Sequence, residues 1–175
     1  MKNFVLMIFG FFAIMLSSCS SQTYLDQNTL NQVLENKEFT FMAEKALPTS
    51  YDAMRVANSI PNYNSSRMTN LDYGYSIIIK KDELISVLPY FGRMYNPSYN
   101  TDKNSLRFTS KDYRIESTDG RKNSKVFVII PNDVNHIRRM ILEVFPTGRA
   151  YLSVDANDRQ PISYDGYLMK NEVKK

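Results

Sequence analysis

The chain has 175 residues, 43% hydrophobic and 23% charged, with Tyr 12, Phe 10, Trp 0, Gly 6 and Pro 7, which suits one compact core and excludes a mainly disordered or fibrous protein. A single Cys excludes intrachain disulfides, cysteine zinc clusters and thioredoxin-type pairs, and a single His excludes histidine-rich metal sites. The formal net charge of +4 is spread over basic pairs such as Lys80-Lys81, Arg138-Arg139 and Lys174-Lys175 among acidic residues. That pattern fits a solvated mixed surface and not a nucleic-acid stripe.

Met1-Lys2-Asn3 carries one positive charge, Phe4 to Leu16 is apolar, and Ser17 and Ser18 follow, which is the layout of a secretory signal peptide over residues 1–18. The apolar run falls well short of the roughly 20 residues that a transmembrane helix needs. The one cysteine ends this segment in Leu16-Ser17-Ser18-Cys19 and resembles the lipobox of bacterial lipoproteins. It implies cleavage before Cys19, acylation of its thiol and new amino group, and a membrane as the first partner, held by several acyl chains.

Residues 19–27 read as the lipidated cysteine and a polar tether, 28–170 as a single domain, and 171–175 as a frayed tail. Leu30, Val33 and Leu34 fall at helical spacing within Asn28 to Asn36, with Asp26 or Asn28 available as the cap and Thr29 and Gln32 at capping-box spacing. Phe39, Phe41 and Ala43 then alternate with polar neighbours as a first strand ended by Pro48. Between Tyr51 and Met68 only Arg55-Val56-Ala57 resembles a strand. Tyr73 to Ile79, a turn at Lys81-Asp82 and Leu84 to Leu88 predict a hairpin.

Leu106 to Thr109 precedes a second hairpin of Tyr113 to Thr118 and Lys125 to Ile130 around Asp119-Gly120. A two-residue turn there sets Ile115 opposite Ser124 and Tyr113 opposite Val126. Tyr113, Ile115, Val126 and Val128 then share one face, and Arg114, Glu116 and Lys125 the other. Ile137 to Phe145 and Arg149 to Asp155 flank Pro146-Thr147-Gly148, and Ile162 to Met169 is the last strand. Roughly eight to ten short strands without alternating helices predict a mainly β, antiparallel sheet closed as a barrel or packed as a sandwich, with a short N-terminal helix.

Leu88-Pro89-Tyr90-Phe91-Gly92-Arg93-Met94-Tyr95 and Asn157-Asp158-Arg159-Gln160-Pro161-Ile162-Ser163-Tyr164-Asp165-Gly166 together resemble a lipoprotein family of Gram-negative anaerobes, domain-of-unknown-function family 4251. Phe39-Thr40-Phe41, Ala46-Leu47-Pro48 and Glu143-Val144-Phe145-Pro146-Thr147-Gly148-Arg149-Ala150 extend the likeness over about Phe39 to Leu168. Met94 and Asn96 lengthen the aromatic loop, and the Asn64 region departs from the pattern. The resemblance implies a lipocalin-like barrel of about eight strands and a place in the Gram-negative cell envelope, at the outer membrane. It carries no activity or catalytic residue.

Two constellations stand out. Tyr90, Phe91, Arg93, Tyr95 and Tyr99 form an aromatic loop that either grips a partner at a barrel mouth or plugs that mouth. Asp158 and Arg159 form a polar knot between two strands, with Asp155 and Asp165 near in sequence. The carboxylates suggest glycoside hydrolysis on one reading, and on the other turn formation with Arg159 cross-linking loop carbonyls. His136 has no Ser-His-Asp spacing or nucleophile elbow around it and reads as a turn histidine. No catalytic residue, metal site or cofactor is expected, and the predicted function is a non-catalytic binding or interaction module facing an envelope ligand or protein partner. A filled, accessory barrel is the first alternative, and a carboxylate-dependent hydrolase of envelope glycans the second.

Overall fold

The computed structural model describes residues 24–49, 69–95 and 104–172; Cys19, Tyr99 and the Arg55-Val56-Ala57 segment lie outside them. Helix α1 (Gln27–Asn36) is followed by nine strands: β1 (Phe39–Pro48), β2 (Ser76–Lys80), β3 (Glu83–Leu88), β4 (Leu106–Ser110), β5 (Tyr113–Asp119), β6 (Lys125–Pro131), β7 (Ile137–Val144), β8 (Arg149–Ala156) and β9 (Ile162–Met169). They form one antiparallel sheet in the order β4-β3-β2-β1-β9-β8-β7-β6-β5 that curls into a nearly closed barrel.

Asp26 is the residue that caps α1: its carboxylate accepts the Thr29 N–H at 3.0 Å, satisfying a free donor of the first turn. Two expected end segments are partly packed on the domain: the stretch read as a tether up to Gln27 is held from Tyr24 onward, and Asn171, read as part of a frayed tail, bonds the Thr40 hydroxyl and the Ile79 carbonyl at 2.8 Å. Leu25 packs on the core and Tyr24 is hydrogen-bonded to Thr147. Leu30 and Val33 are the buried stripe of α1, laid across one end of the barrel. Inward positions along the strands repeat with period two. In β1 they are Phe39, Phe41 and Ala43, and after a register shift between Ala43 and Lys45 the phase resumes at Ala46. Phe39 meets Phe127 edge-on at 5.3 Å, joining β1 to β6 across the interior, since the two strands are not neighbours in the sheet.

The β5–β6 hairpin departs from expectation. The loop runs from Gly120 to Ser124 through a 3-10 turn at Arg121–Asn123, with Lys122 and Asn123 at positive φ. The Ser124 hydroxyl is held by the Arg121 carbonyl and the Glu143 carboxylate, both at 2.7 Å, which buries the serine and lengthens the loop. Ile115 therefore faces Ile129 and Tyr113 faces Pro131. The slip relative to a two-residue turn is odd, so it exchanges the two faces of β6. Phe127 and Ile129 point inward beside Tyr113 and Ile115, while Val126 and Val128 share the outer face with Arg114 and Glu116. Likewise β2 starts at Ser76, because Tyr73 and Gly74 (φ 116) form a turn.

An odd strand number shapes the seam. In an alternating order of nine, β4 and β5 run the same way, yet only Lys111-Asp112 joins them. Parallel neighbours need a crossover of roughly a dozen residues or more, so no ladder closes β4 onto β5 among the described residues. The connection is instead a corner. Asn132 donates its N–H to the Asp112 carbonyl at 2.7 Å, and the Asp133 carboxylate accepts the Ser110 hydroxyl and, at 2.9 Å, the Lys111 N–H. Two side chains bridge the seam: Lys37 Nζ reaches the Ile115 carbonyl at 3.4 Å, and the Tyr113 hydroxyl donates to the Lys80 carbonyl.

Candidate functional site

The barrel has two unlike ends. One carries α1, the β5–β6 loop and the Phe145–Gly148 turn. At the other, the segments after β3, β6 and β8 meet. Pro161 and neighbouring Asx residues end β8 and hold its successor off the ladder for five residues, Asn157 to Pro161, so that backbone groups there seek partners in other loops. Asn157 donates its N–H to the His136 carbonyl at 2.9 Å, Tyr95 to the Asp158 carbonyl at 2.8 Å, and Gln160 to the Arg93 carbonyl at 3.0 Å.

Arg159 is the hub, only 2% exposed. Its Nε and a terminal nitrogen grip both Asp158 oxygens at 2.8 and 2.9 Å, the other terminal nitrogen donates to the Asn104 and Ser105 carbonyls at 3.0 and 3.1 Å, and its guanidinium lies 5.0 Å from the Tyr90 ring centre. The Tyr90 hydroxyl is shared between the Arg93 and Gln160 carbonyls at 2.9 and 3.0 Å. Gly92 permits this fold-back, because a Cβ there would sit 2.6 Å from that hydroxyl. Below the knot, fully buried Tyr164 donates to the Pro89 carbonyl at 2.6 Å.

The electrostatics follow. The Arg159 hydrogen bonds hold the Asp158 carboxyl below its ordinary range. Burial lowers His136, whose ring stands edge-on to Phe108 at 5.9 Å, and burial raises the Tyr90 and Tyr164 phenols. Gln160 Oε1 is the one buried side-chain polar atom without a partner among the described residues.

The structure thus brings Tyr90, Arg93, Tyr95, Asp158 and Arg159 together. Phe91 is half-buried on the core, Arg93 is exposed and Tyr95 is 59% exposed. The nearby carboxylates do not converge. Asp155 is held by Arg138 and Arg139 at 3.6 and 3.5 Å. Asp165 lies opposite Tyr151 on the outer face, four residues along the ladder from Asp155, a backbone separation of about 13 Å. Paired glycosidase carboxyls stand roughly 5 to 9.5 Å apart.

Sequence reasoning did not find the Tyr164, Asn104 and Ser105 contributions, because their partners lie 54 to 75 residues away and no local pattern marks them. Among the described residues no group of three or more His, Cys, Asp or Glu is placed to hold a metal, and no helix is long and apolar enough to cross a membrane. Away from the knot, a cleft of about 650 Å³ separates α1 from the β5–β6 loop, and one of about 270 Å³ lies on the outer face around Met42, Ile78 and Met169.

A family model described as a domain of unknown function, DUF4251, matches residues 22–168. A search of the curated proteins found no match. Among solved structures, the chain is similar to a crystal structure of a DUF4251 family protein from Bacteroides eggerthii, with a TM-score of 0.51 and 9% identity over 85% of this chain and 89% of that one. At that identity the likeness speaks for the fold. The family match spans the helix and all nine strands but for the last residue of β9, and on that ground the chain belongs to the DUF4251 family.

Proposed function

We propose that the protein is a lipid-anchored envelope protein, acylated at Cys19 and held at the outer membrane, whose barrel is a rigid, non-catalytic module that presents its aromatic loop and polar knot to an envelope partner. The observation that carries this reading is the use made of the polar groups at the knot end. Asp158 and Arg159 are spent on each other and on loop carbonyls, while Arg93 and Tyr95 are left facing solvent at the rim. Such a rim of Arg and Tyr on a fixed support suits recognition of a protein or glycan surface.

The interior supports a filled barrel over a ligand-holding one: Phe39, Phe41, Phe127 and Tyr164 are each fully buried within it. A carboxylate-dependent hydrolase is disfavoured by the spacing of Asp155 and Asp165 and by the engagement of both Asp158 oxygens. Neither a cofactor nor nucleic acid enters this reading.

The test is native mass spectrometry of the domain made without residues 1–19, purified gently and compared before and after denaturation. The bare polypeptide mass in both states is expected. A non-covalent mass released by denaturation overturns the filled barrel and identifies a ligand.

A further inference from the structure

The chain is fixed to the barrel from Tyr24 onward. Tyr24 donates its N–H to the Thr147 carbonyl at 3.1 Å, and its ring stacks on Tyr167 with centres 4.4 Å apart and planes at 16°. Gly148, at φ 82, lies beneath it, where a Cβ would come within 3.3 Å of the Tyr24 side chain. Leu25 then packs on the core and Asp26 caps α1. All of these contacts are at the helix end.

Cys19 precedes Tyr24 by five residues. At no more than about 3.6 Å per residue, that stretch spans at most about 18 Å. Strand β8, with eight residues, runs about 23 Å from the helix end to the knot end, which at the roughly 40° tilt of barrel strands is about 18 Å along the axis, and the loops of the knot end extend beyond that. A bilayer that holds acyl chains on Cys19 therefore lies within reach of the helix end and out of reach of the knot end. Resting on the acylation reading, we infer that the helix end is the membrane-facing surface, apposed to the lipid headgroups of the leaflet that holds Cys19, and that the knot end is the distal face offered to partners.

The chemistry of this end fits a headgroup layer without requiring deep insertion. Its exposed groups are polar and of both signs, Arg121, Lys122 and Arg149 against Asp26, Glu35 and Asp119. Attraction to anionic lipid is thereby limited, and the short tether sets the orientation. The Tyr24–Tyr167 pair adds rings with polar tips of the kind enriched at membrane interfaces.

The chain contains no tryptophan, so a single introduced one reports its own position. Pro146→Trp and Arg149→Trp mark the helix end at two exposed sites, and Asn135→Trp marks an exposed site at the knot end. Each full-length lipoprotein, its acylation verified by intact mass, is reconstituted into phosphatidylcholine vesicles carrying a nitroxide on the headgroup. Several-fold stronger quenching of both helix-end reporters than of Asn135→Trp is expected. Equal quenching, or stronger quenching at Asn135→Trp, overturns the orientation. An unmodified Cys19 thiol in the mass spectrum overturns the anchoring reading by itself. Coupling that thiol to a maleimide phospholipid in the same vesicles then gives the geometric inference the same two outcomes.

Discussion

Replacing Arg159 with methionine removes a buried cation that ties the β8–β9 loop to both ends of the β3–β4 connection, while leaving much of its apolar bulk. Breaking one partner of a buried ion pair costs about 3–5 kcal/mol. Asp158 here is 27% exposed at its side chain and regains water once freed, which places the loss at the low end. The Asn104 and Ser105 carbonyls also lose charged donors, each such bond being worth about 1.5–3 kcal/mol before water replaces it. A net loss of about 3 kcal/mol follows, and with a urea m-value of about 2 kcal/mol/M the midpoint falls by about 1.5 M. The assay is equilibrium urea unfolding followed by far-UV circular dichroism, with Arg159→Lys alongside. Lysine keeps the charge but loses the two-pronged fit, so an intermediate loss is expected. A midpoint shift for Arg159→Met below about 0.5 M, equivalent to about 1 kcal/mol, would refute the idea that this residue holds the end together.

Gly166→Ala places a Cβ 1.9 Å from the Met42 carbonyl oxygen of the neighbouring strand. A loss of about 3 kcal/mol is expected in thermal unfolding, and a loss under about 1 kcal/mol contradicts the β1–β9 register. Lys37 both bridges the seam and adopts φ 55 as the cap residue of α1. Lys37→Ala should cost about 1 kcal/mol, and Lys37→Gly should be about 1 kcal/mol more stable than Lys37→Ala because glycine relieves the left-handed backbone; equal stabilities in urea count against that strain. The Asp133 carboxyl is lowered first by the Ser110 hydroxyl and then by the Lys111 N–H. Its contribution is present above the unfolded carboxylate pKa of about 3.9 and is lost as pH falls through the lower folded value. Wild type and Asp133→Asn should therefore converge in stability under acid and separate near neutrality, as measured by urea unfolding over a pH series; a constant gap would refute the assignment.

What could be read from the residues was local. The alternation of Phe39, Phe41 and Ala43, the Lys81-Asp82 turn and the Pro146-Thr147-Gly148 turn each encode their structure within a few positions, and these elements appear where expected. The Asp119-Gly120 pair is an equally local signal, yet it lost to a non-local one. Burying Ser124 against Glu143 of β7 draws the serine out of the strand and moves the register by an odd number. Asp26 could be selected as the cap only once its carboxylate was seen on Thr29. At the knot, the neighbouring Asp158 and Arg159 are visible in the chain, but the carbonyls that make Arg159 a hub lie more than fifty positions upstream. The seam depends on Lys37 and Tyr113, whose bonds to Ile115 and Lys80 follow from how far a nine-stranded sheet curls. No window of sequence carries that information.

The β1–β9 ladder joins Thr40 to Met169 and Pro48 to Ile162, the first strand to the last. Nothing in the middle of the order can take its place, because among the described residues it is the one strand ladder between the half beginning with β4 and the half ending with β5, which the knot, the corner and the side-chain bridges join only through loops and side chains. Folding must thus wait for the C-terminal strand, and the long loop closed by that pairing makes it a late, entropically costly step. A chain synthesised or threaded from its N-terminus carries Phe39 and Phe41 without their shelter until Leu168 has emerged. Truncation within β9 should therefore abolish the fold outright, where a cut after Lys170 only weakens it by removing Asn171, whose side chain bonds the Thr40 hydroxyl and the Ile79 carbonyl at 2.8 Å.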